Sequence, residues 1–265
     1  MRSGIRTPLR ETVLDAVVRL DAGAGPSCGR SSLAGLGMMA GGSPVARRLT
    51  VGLLLALTAV TGLVDAVSYL RLGRVFVANM TGNVVFLGFS VDPHSGLSPV
   101  ASVVAIGGFV VGVLAGGRLS SRLSERPRRW LVSAFVVEAV ILAVVGVLLS
   151  TGVAALGGDA RYGTIAALAV ALGVQNATVR HLGAADLTTT VLTLTLTGLA
   201  ADSFLAGGPG ARPHRRLGSV AMMLGGAAAG AAMLQASVCA VVLVAAGVVG
   251  AVAVGFACGP NASQP

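Results

Sequence analysis

The chain has 265 residues, of which 54% are hydrophobic and 11% are charged, and its mean hydropathy is +0.86. No ordinary soluble domain has this composition, so we expect a membrane protein. The 38 glycines accompany only 10 prolines and follow no G-x-y period, which excludes a collagen-like chain. All 19 basic residues are arginines, which excludes chemistry that depends on a Schiff-base or P-loop lysine.

The net charge of +9 comes from arginine clusters that lie between apolar stretches. Such clusters indicate membrane topology rather than nucleic-acid binding, which needs a basic face interleaved with aromatic side chains. The three cysteines, Cys28, Cys239 and Cys258, are far apart and have no metal-ligand spacing. We therefore expect the lipid bilayer as the main partner, and neither a metal nor another cofactor.

The first 48 residues predict a disordered basic N-terminal arm, with seven arginines among many small residues. Within the arm only residues 12–20 predict a short helix. Met38 and Met39 precede the first apolar stretch, and one hypothesis places the translation start there, which the intact mass would test. Residues 259–265 are expected to form a short C-terminal tail.

Residues 49–258 predict an all-α, polytopic transmembrane bundle. A helix of about 20 apolar residues crosses roughly 30 Å of hydrocarbon, and six stretches have this length. They are residues 49–70, 99–117, 130–156, 163–180, 217–235 and 236–257.

Two further segments, residues 75–91 and 186–204, are apolar in part but rich in Asn and Thr. If both are re-entrant or broken, six true spans remain, and the arm shares one side of the membrane with the basic loops at 118–129 and 212–216. If both cross, a chain with its N-terminus inside places the first basic loop outside, against the positive-inside rule. We therefore prefer six spans and a cytoplasmic N-terminus, with full crossing as the alternative.

The predicted domain divides into two related halves, residues 49–156 and 163–257. The sequence GLVDA at 62–66 matches GVQNA at 173–177, and a glycine-rich stretch follows in each half. The matched glycines are Gly107, Gly108 and Gly112 in the first half and Gly225, Gly226 and Gly230 in the second. Six spans predict inverted repeats, and full crossing predicts parallel ones. Chance similarity between glycine-rich helices is the third interpretation.

The most distinctive stretches are GLVDAVSYLRLGRVFVANMTGNVVFLG at residues 62–88 and GVQNATVRHLGAADLTTTVLTLTLTG at residues 173–198. They resemble the YoaK-like family of small bacterial integral membrane proteins, and the likeness extends from about Leu49 to Ala257. The resemblance implies a bacterial inner-membrane protein of about six or seven helices. It implies no substrate and no site residue, and it does not cover the N-terminal arm.

Asp65 and Glu138 are the first candidates for function, because an ionisable group inside a span is costly unless it is paired or faces water. The spacing of Thr58, Thr61, Asp65 and Ser68 places them on one helix face, which we expect to point into the bundle. The hypothesis is that Asp65 binds a proton or a cationic group.

The second half offers Asn176 at the position that matches Asp65, with Arg180 one turn later, which predicts a shared central site and a buried Asp65–Arg180 pair. The polar segments would line a path as broken helices do in many secondary transporters. The path residues are Asn79, Thr81 and Asn83 with Thr189, Thr190 and Thr193. The alternative is that these polar groups only hydrogen-bond helices together.

No catalytic signature such as H-E-x-x-H, G-x-S-x-G, C-x-x-C or a Walker A sequence occurs, so we expect no enzyme. The glycine faces at 108–116 and 226–230 predict close helix packing inside the chain, with homodimerisation as the other use. The sequence thus favours an inner-membrane secondary transporter or permease for a small polar solute or a proton. A non-transporting scaffold is the first alternative, and a membrane-embedded enzyme is the second.

Overall fold

The computed structural model describes residues 43–154, 156–183, 197 and 213–260, and of residues 213–216 it describes the backbone alone. This part of the chain contains α-helices and no strand. Its helices are α1 (Arg47–Arg71), α2 (Met80–Phe89), α3 (Pro99–Arg122), α4 (Pro127–Ser150), α5 (Arg161–His181), α6 (Pro213–Met233) and α7 (Val238–Cys258).

Five of these helices, α1, α3, α4, α5 and α7, are long and apolar enough to cross a membrane. In α6 the apolar stretch is shorter and runs over Leu217–Met233. The six helices correspond to the six predicted spans, with boundaries that differ by a few residues. The largest difference is at α4, which ends at Ser150 before a loop where Gly152 has a φ of 73°. The prediction of a polytopic all-helical bundle is therefore confirmed.

The first polar segment forms only a half-length helix. After α1 the chain runs without helical structure to Asn79, and α2 then has 10 residues. Ten residues rise about 15 Å, half of the roughly 30 Å hydrocarbon layer. The segment is thus broken, as predicted. The second polar segment, residues 186–204, lies outside the described residues except for Thr197.

Helices α4 and α7 run antiparallel. Phe135 near the start of α4 stacks on Phe256 near the end of α7, with 5.6 Å between ring centroids. At the other end of the pair, a Cβ on Gly146 of α4 would lie 2.8 Å from Cγ of Leu243 in α7. Full crossing of both polar segments would make these two helices parallel. The directions of the described helices are those of the six-span arrangement.

Glycines bring two pairs of parallel helices into close contact. A Cβ on Gly116 of α3 would lie 3.1 Å from the carbonyl oxygen of Val174 in α5. A Cβ on Gly230 of α6 would lie 2.9 Å from the carbonyl oxygen of Leu63 in α1. Both glycine faces are therefore occupied by helices of the same chain, so they are not free to bind a second copy.

These contacts correct the register of the glycine match. The sequence aligned Gly108 with Gly226, but Gly226 meets α1 at Ala59 as Gly112 meets α5 at Val170. Gly116 then corresponds to Gly230, so the match from spacing is one turn out of register. The reason is that α3 repeats glycine every four residues, and spacing alone leaves the register open.

The helix directions bring most arginines to one end of the bundle, which we call the basic end. It contains the starts of α1, α4 and α6 and the ends of α3, α5 and α7. Its described arginine side chains are Arg47, Arg48, Arg118, Arg122, Arg126, Arg128, Arg129 and Arg180. The opposite end has Arg71, Arg74 and Arg161.

The predicted arm ends earlier than residue 48. Val45 is buried, and the backbone N–H of Ala46 donates to the carbonyl oxygen of Pro260 at 3.1 Å. Contact with the end of α7 therefore orders the residues just before α1. Residues 1–42, with the helix predicted at 12–20, lie outside the described residues, as do residues 261–265 of the tail.

Candidate functional site

Asp65 holds the broken segment against α1. Its Oδ1 accepts hydrogen bonds from the backbone N–H groups of Val77 and Ala78, both at 3.0 Å. Val77 and Ala78 are buried, so water cannot replace the carboxylate there. Asp65 lies six residues before the end of α1, so it reaches about 9 Å into the bundle from the end opposite the basic end. The chain therefore enters from that end and turns at Asp65.

The turn is closed by two asparagines. The Asn79 side chain caps α2 by accepting from the N–H of Gly82 at 3.2 Å. Asn83 is fully buried, and its amide accepts from the N–H of Phe76 at 2.9 Å and donates to the carbonyl oxygen of the same residue at 2.6 Å. Both side chains satisfy backbone groups that a broken helix leaves open.

An aromatic stack covers this turn. Phe76 lies between Tyr69 of α1 and Phe86 of α2, with ring centroids 5.1 and 5.5 Å away. Stacked rings bury a large apolar area at fixed geometry. The N-terminus of α2 is thus held next to the Asp65 carboxylate, where the positive end of a helix dipole favours negative charge.

The polar face predicted on α1 does point into the bundle. Thr58, Thr61, Asp65 and Ser68 are all buried. Thr58 and Thr61 donate to carbonyl oxygens of their own helix at 3.0 and 3.1 Å. The Ser68 hydroxyl donates to the carbonyl oxygen of Asp65 at 3.1 Å. The hydroxyls of these three residues are therefore satisfied by carbonyl oxygens of their own helix.

A side-chain hydrogen bond joins α1 and α5, and sequence reasoning missed it. The Gln175 side chain donates from Nε2 to the Thr61 hydroxyl at 2.8 Å, inside the bundle. Two signals pointed to the pair, because Thr61 shares a face with Asp65 and Gln175 precedes Asn176. No side chain in the sequence indicates that the backbone amides of residues 77 and 78 donate to Asp65.

The predicted Asp65–Arg180 pair is wrong. Asp65 lies toward the opposite end of the bundle, whereas Arg180 is exposed in the last turn of α5 at the basic end. The two helices run antiparallel, so matching positions lie on opposite sides of the bundle centre. Asn176 accordingly lies on the basic-end side of Gln175, and its amide donates to the carbonyl oxygen of Leu172 at 2.9 Å.

Glu138 differs from Asp65 in having no hydrogen-bond partner in the part of the chain that the structure describes. It is fully buried in α4, one turn from Phe135 and Leu142, which are fully buried as well. Neither carboxyl oxygen has a hydrogen-bond partner among the described residues. The Oε1 atom of Gln175 is also buried without a partner in that part of the chain. Buried polar atoms in native proteins nearly always have partners, so both groups call for an explanation.

The remaining predicted site residues are not brought to this centre. Thr81 is exposed on the first turn of α2. Thr189, Thr190 and Thr193 lie outside the described residues. Within the described ranges, no three His, Cys, Asp or Glu residues lie close enough to hold a metal ion.

The fold and the clamped segment define the class, a multi-pass α-helical membrane protein with a broken segment anchored inside its bundle. The chain belongs to the family described as "Protein of unknown function (DUF1275)", whose model matches residues 53–255. It is 34% identical over 164 residues to "UPF0700 transmembrane protein YoaK" of Bacillus subtilis (strain 168), over 59% of this chain and 68% of that protein. The predicted YoaK-like membership is confirmed. No solved structure matches the chain.

Proposed function

We propose that this chain is a proton-coupled secondary transporter or permease for a small polar solute, in which Glu138 takes up and releases the proton. Glu138 is the observation that carries the proposal. A carboxyl group buried in a membrane span without a partner costs several kcal/mol, roughly 2.5 or more, and such groups are typical of proton relays. Packing alone does not require this group, because an apolar side chain of similar size would fill the same place.

The helix arrangement supports the proposal. Helix α1 packs on α6, α5 packs on α3, and α4 packs on α7. Suppose that α1, α3 and α4 of the first half correspond to α5, α6 and α7 of the second half. The α1–α6 contact is then equivalent to the α5–α3 contact, the α4–α7 contact is equivalent to itself, and corresponding helices run in opposite directions. Inverted halves of this kind favour alternating access around a site at their interface. The Gln175–Thr61 hydrogen bond lies at that interface.

Asp65 has a positioning role in this proposal. Its carboxylate fixes the turn that places the α2 N-terminus inside the bundle, where many transporters use a broken helix to meet a ligand. The path of the solute then follows the polar face of α1 and the interface with α5. In the arrangement described here that face is closed, because Thr58 and Thr61 are buried.

The scaffold function is the second candidate, and the closed polar face favours it. Buried hydroxyl and amide groups that form hydrogen bonds between helices serve to join them, at about 0.6–2 kcal/mol for each contact. A scaffold, however, does not explain a buried carboxyl group at Glu138, so this residue favours the transporter over the scaffold.

The orientation belongs to the proposal as well. We propose that the basic end, and with it the start of α1, faces the cytoplasm of a bacterium whose inner membrane holds the protein, as the positive-inside rule favours. The arginines at 212–216 support this orientation, because they come just before α6 or in its first turn.

Cysteine accessibility tests transport against scaffold without a known solute. In a variant without native cysteines, Thr58→Cys is treated in native membranes with a small, membrane-impermeant thiol reagent. Thr58 is 2% exposed, so reaction requires the bundle to open to water. Ala169→Cys, which replaces a fully buried residue of α5 at its contact with α3, is the matched control. We expect Thr58→Cys to react and Ala169→Cys not to react.

The role of Glu138 is tested in the same experiment by varying the pH. We expect the reaction rate of Thr58→Cys, corrected for thiol ionisation, to depend on pH and to lose that dependence with Glu138→Gln. If Thr58→Cys never reacts, the transporter proposal fails and the scaffold remains. If it reacts but Glu138→Gln leaves the pH dependence unchanged, transport stands without Glu138 as the proton carrier.

A further inference from the structure

An apolar groove runs between α4 and α7 on the outer surface of the bundle, and nothing in the proposed transport function uses it. Its volume is about 480 Å³. Among the described residues its lining consists of Val, Ala, Leu and Gly, between Val132 and Ala143 on α4 and between Leu243 and Ala257 on α7. Both walls belong to candidate membrane spans, so the groove opens toward hydrocarbon.

The groove is at least as long as one leaflet is deep. Its α4 wall extends from Val132 to Ala143, eleven steps that rise about 16 Å, and its α7 wall extends from Leu243 to Ala257, fourteen steps that rise about 21 Å. Half of the hydrocarbon core is about 15 Å. The glycines make the floor deep, because a Cβ on Gly247 would contact nothing within 4 Å. A straight acyl chain therefore fits along the groove.

Arginines lie at the mouth of the groove at the basic end. Arg128 donates to the carbonyl oxygen of Ala257, the last lining residue of α7, at 3.4 Å and also donates to the carbonyl oxygen of Gly259. Arg129 is exposed beside it, and the adjoining loop adds the exposed Arg126 with a single acidic residue, Glu125. An anionic group is thus favoured at this point.

We propose that the groove binds an anionic phospholipid from the leaflet at the basic end, with one acyl chain in the groove and its phosphate beside Arg128 and Arg129. A second copy of the chain fits less well. Two copies joined groove to groove about an axis along the membrane normal would place the same arginines against each other, and like charges side by side oppose association.

Native mass spectrometry of the purified full-length protein tests the proposal. The protein in detergent is titrated with phosphatidylglycerol or with phosphatidylcholine of the same acyl chains, and bound lipids are counted. We expect one phosphatidylglycerol to bind more tightly than phosphatidylcholine. Arg129→Gln should weaken phosphatidylglycerol binding about fivefold and leave phosphatidylcholine binding unchanged, because one surface arginine contributes about that factor to anionic-lipid binding.

Filling the groove should remove the site. Gly247→Leu combined with Gly250→Leu adds a Cβ that meets no atom within 4 Å at either position, and the leucine side chains then extend into the groove. The matched control is Gly107→Leu with Gly225→Leu, since these two glycines are also open but lie on α3 and α6. We expect at least tenfold weaker phosphatidylglycerol binding in the groove variant and wild-type binding in the control, with equal thermal stability.

Three results would overturn the proposal. Wild-type phosphatidylglycerol binding in the groove variant would show that the lipid lies elsewhere. Equal losses in the groove and control variants would show only nonspecific annular lipid. A wild-type dimer that the groove variant converts to a monomer, with no change in lipid binding, would assign the groove to a second copy.

Discussion

Replacing Asp65 by alanine should destabilise the protein, because it removes the acceptor of two buried N–H groups. Val77 and Ala78 are 0% and 5% exposed, so neither amide finds water instead. Leaving a buried donor unsatisfied costs about 1–3 kcal/mol. For two donors the free energy of unfolding should therefore fall by about 2–6 kcal/mol.

The asparagine variant separates the hydrogen bonds from the charge. Asp65→Asn keeps an oxygen that can accept from both amides, but the bonds are no longer charge-assisted. A hydrogen bond to a charged group contributes about 1 kcal/mol more than a neutral one, so Asp65→Asn should cost about 2 kcal/mol. Asp92→Ala is the control, because its side chain is 67% exposed and its loss should change stability by about 0.5 kcal/mol or less.

Two measurements check this order of effects. Thermal unfolding of the purified protein in detergent reports global stability, and amide hydrogen exchange over residues 72–83 reports the turn itself. We expect the exchange of this segment to accelerate in Asp65→Ala, less so in Asp65→Asn, and not at all in Asp92→Ala. If Asp65→Ala unfolds at the wild-type temperature and protects the segment equally, the clamp does not anchor the turn.

Three further predictions follow from the same structure. Glu138→Leu should raise the free energy of unfolding by about 1–3 kcal/mol, since it removes an unsatisfied buried group, and a lower thermal midpoint would contradict this. Gly226→Ala should destabilise by about 1–3 kcal/mol because its methyl group meets the α1 backbone, whereas Gly225→Ala, which is open, should not, and equal midpoints would refute close packing. In intact cells, a cysteine at Ser95 should react with an impermeant reagent and one at Ser124 should not, and the reverse pattern would invert the proposed orientation.

The sequence predicted the helices well and their contacts only in part. Apolar length located the six long helices, and the spacing of Thr58, Thr61, Asp65 and Ser68 identified the inward face of α1. These features are local, so they follow from residue type and helical period. Only the structure shows that α4 and α7 pack against each other in antiparallel directions. The placement of the arginines had already favoured the six-span arrangement that this direction requires.

The contacts of Asp65, Arg180 and Glu138 show why the sequence did not predict the partners of the site residues. Asp65 was singled out, but its partners are backbone amides of Val77 and Ala78, which every residue type except proline offers. The Asp65–Arg180 pair failed because a match along the sequence does not state on which side of the bundle each residue lies. Glu138 drew attention by its charge alone, and only the structure shows that its carboxyl group has no hydrogen-bond partner among the described residues.

The packing of α1 on α6 and of α5 on α3 has a consequence for biosynthesis. Helix α1 packs its Gly62 face on the backbone of α6, so this face has no partner until α6 is synthesised, after α5. Helix α5, by contrast, finds α3 already in place. Until α6 emerges, we therefore expect lipid or the insertion machinery to cover this face of α1. Two separately expressed halves would meet as interlocking fragments, each supplying the helix that the other lacks.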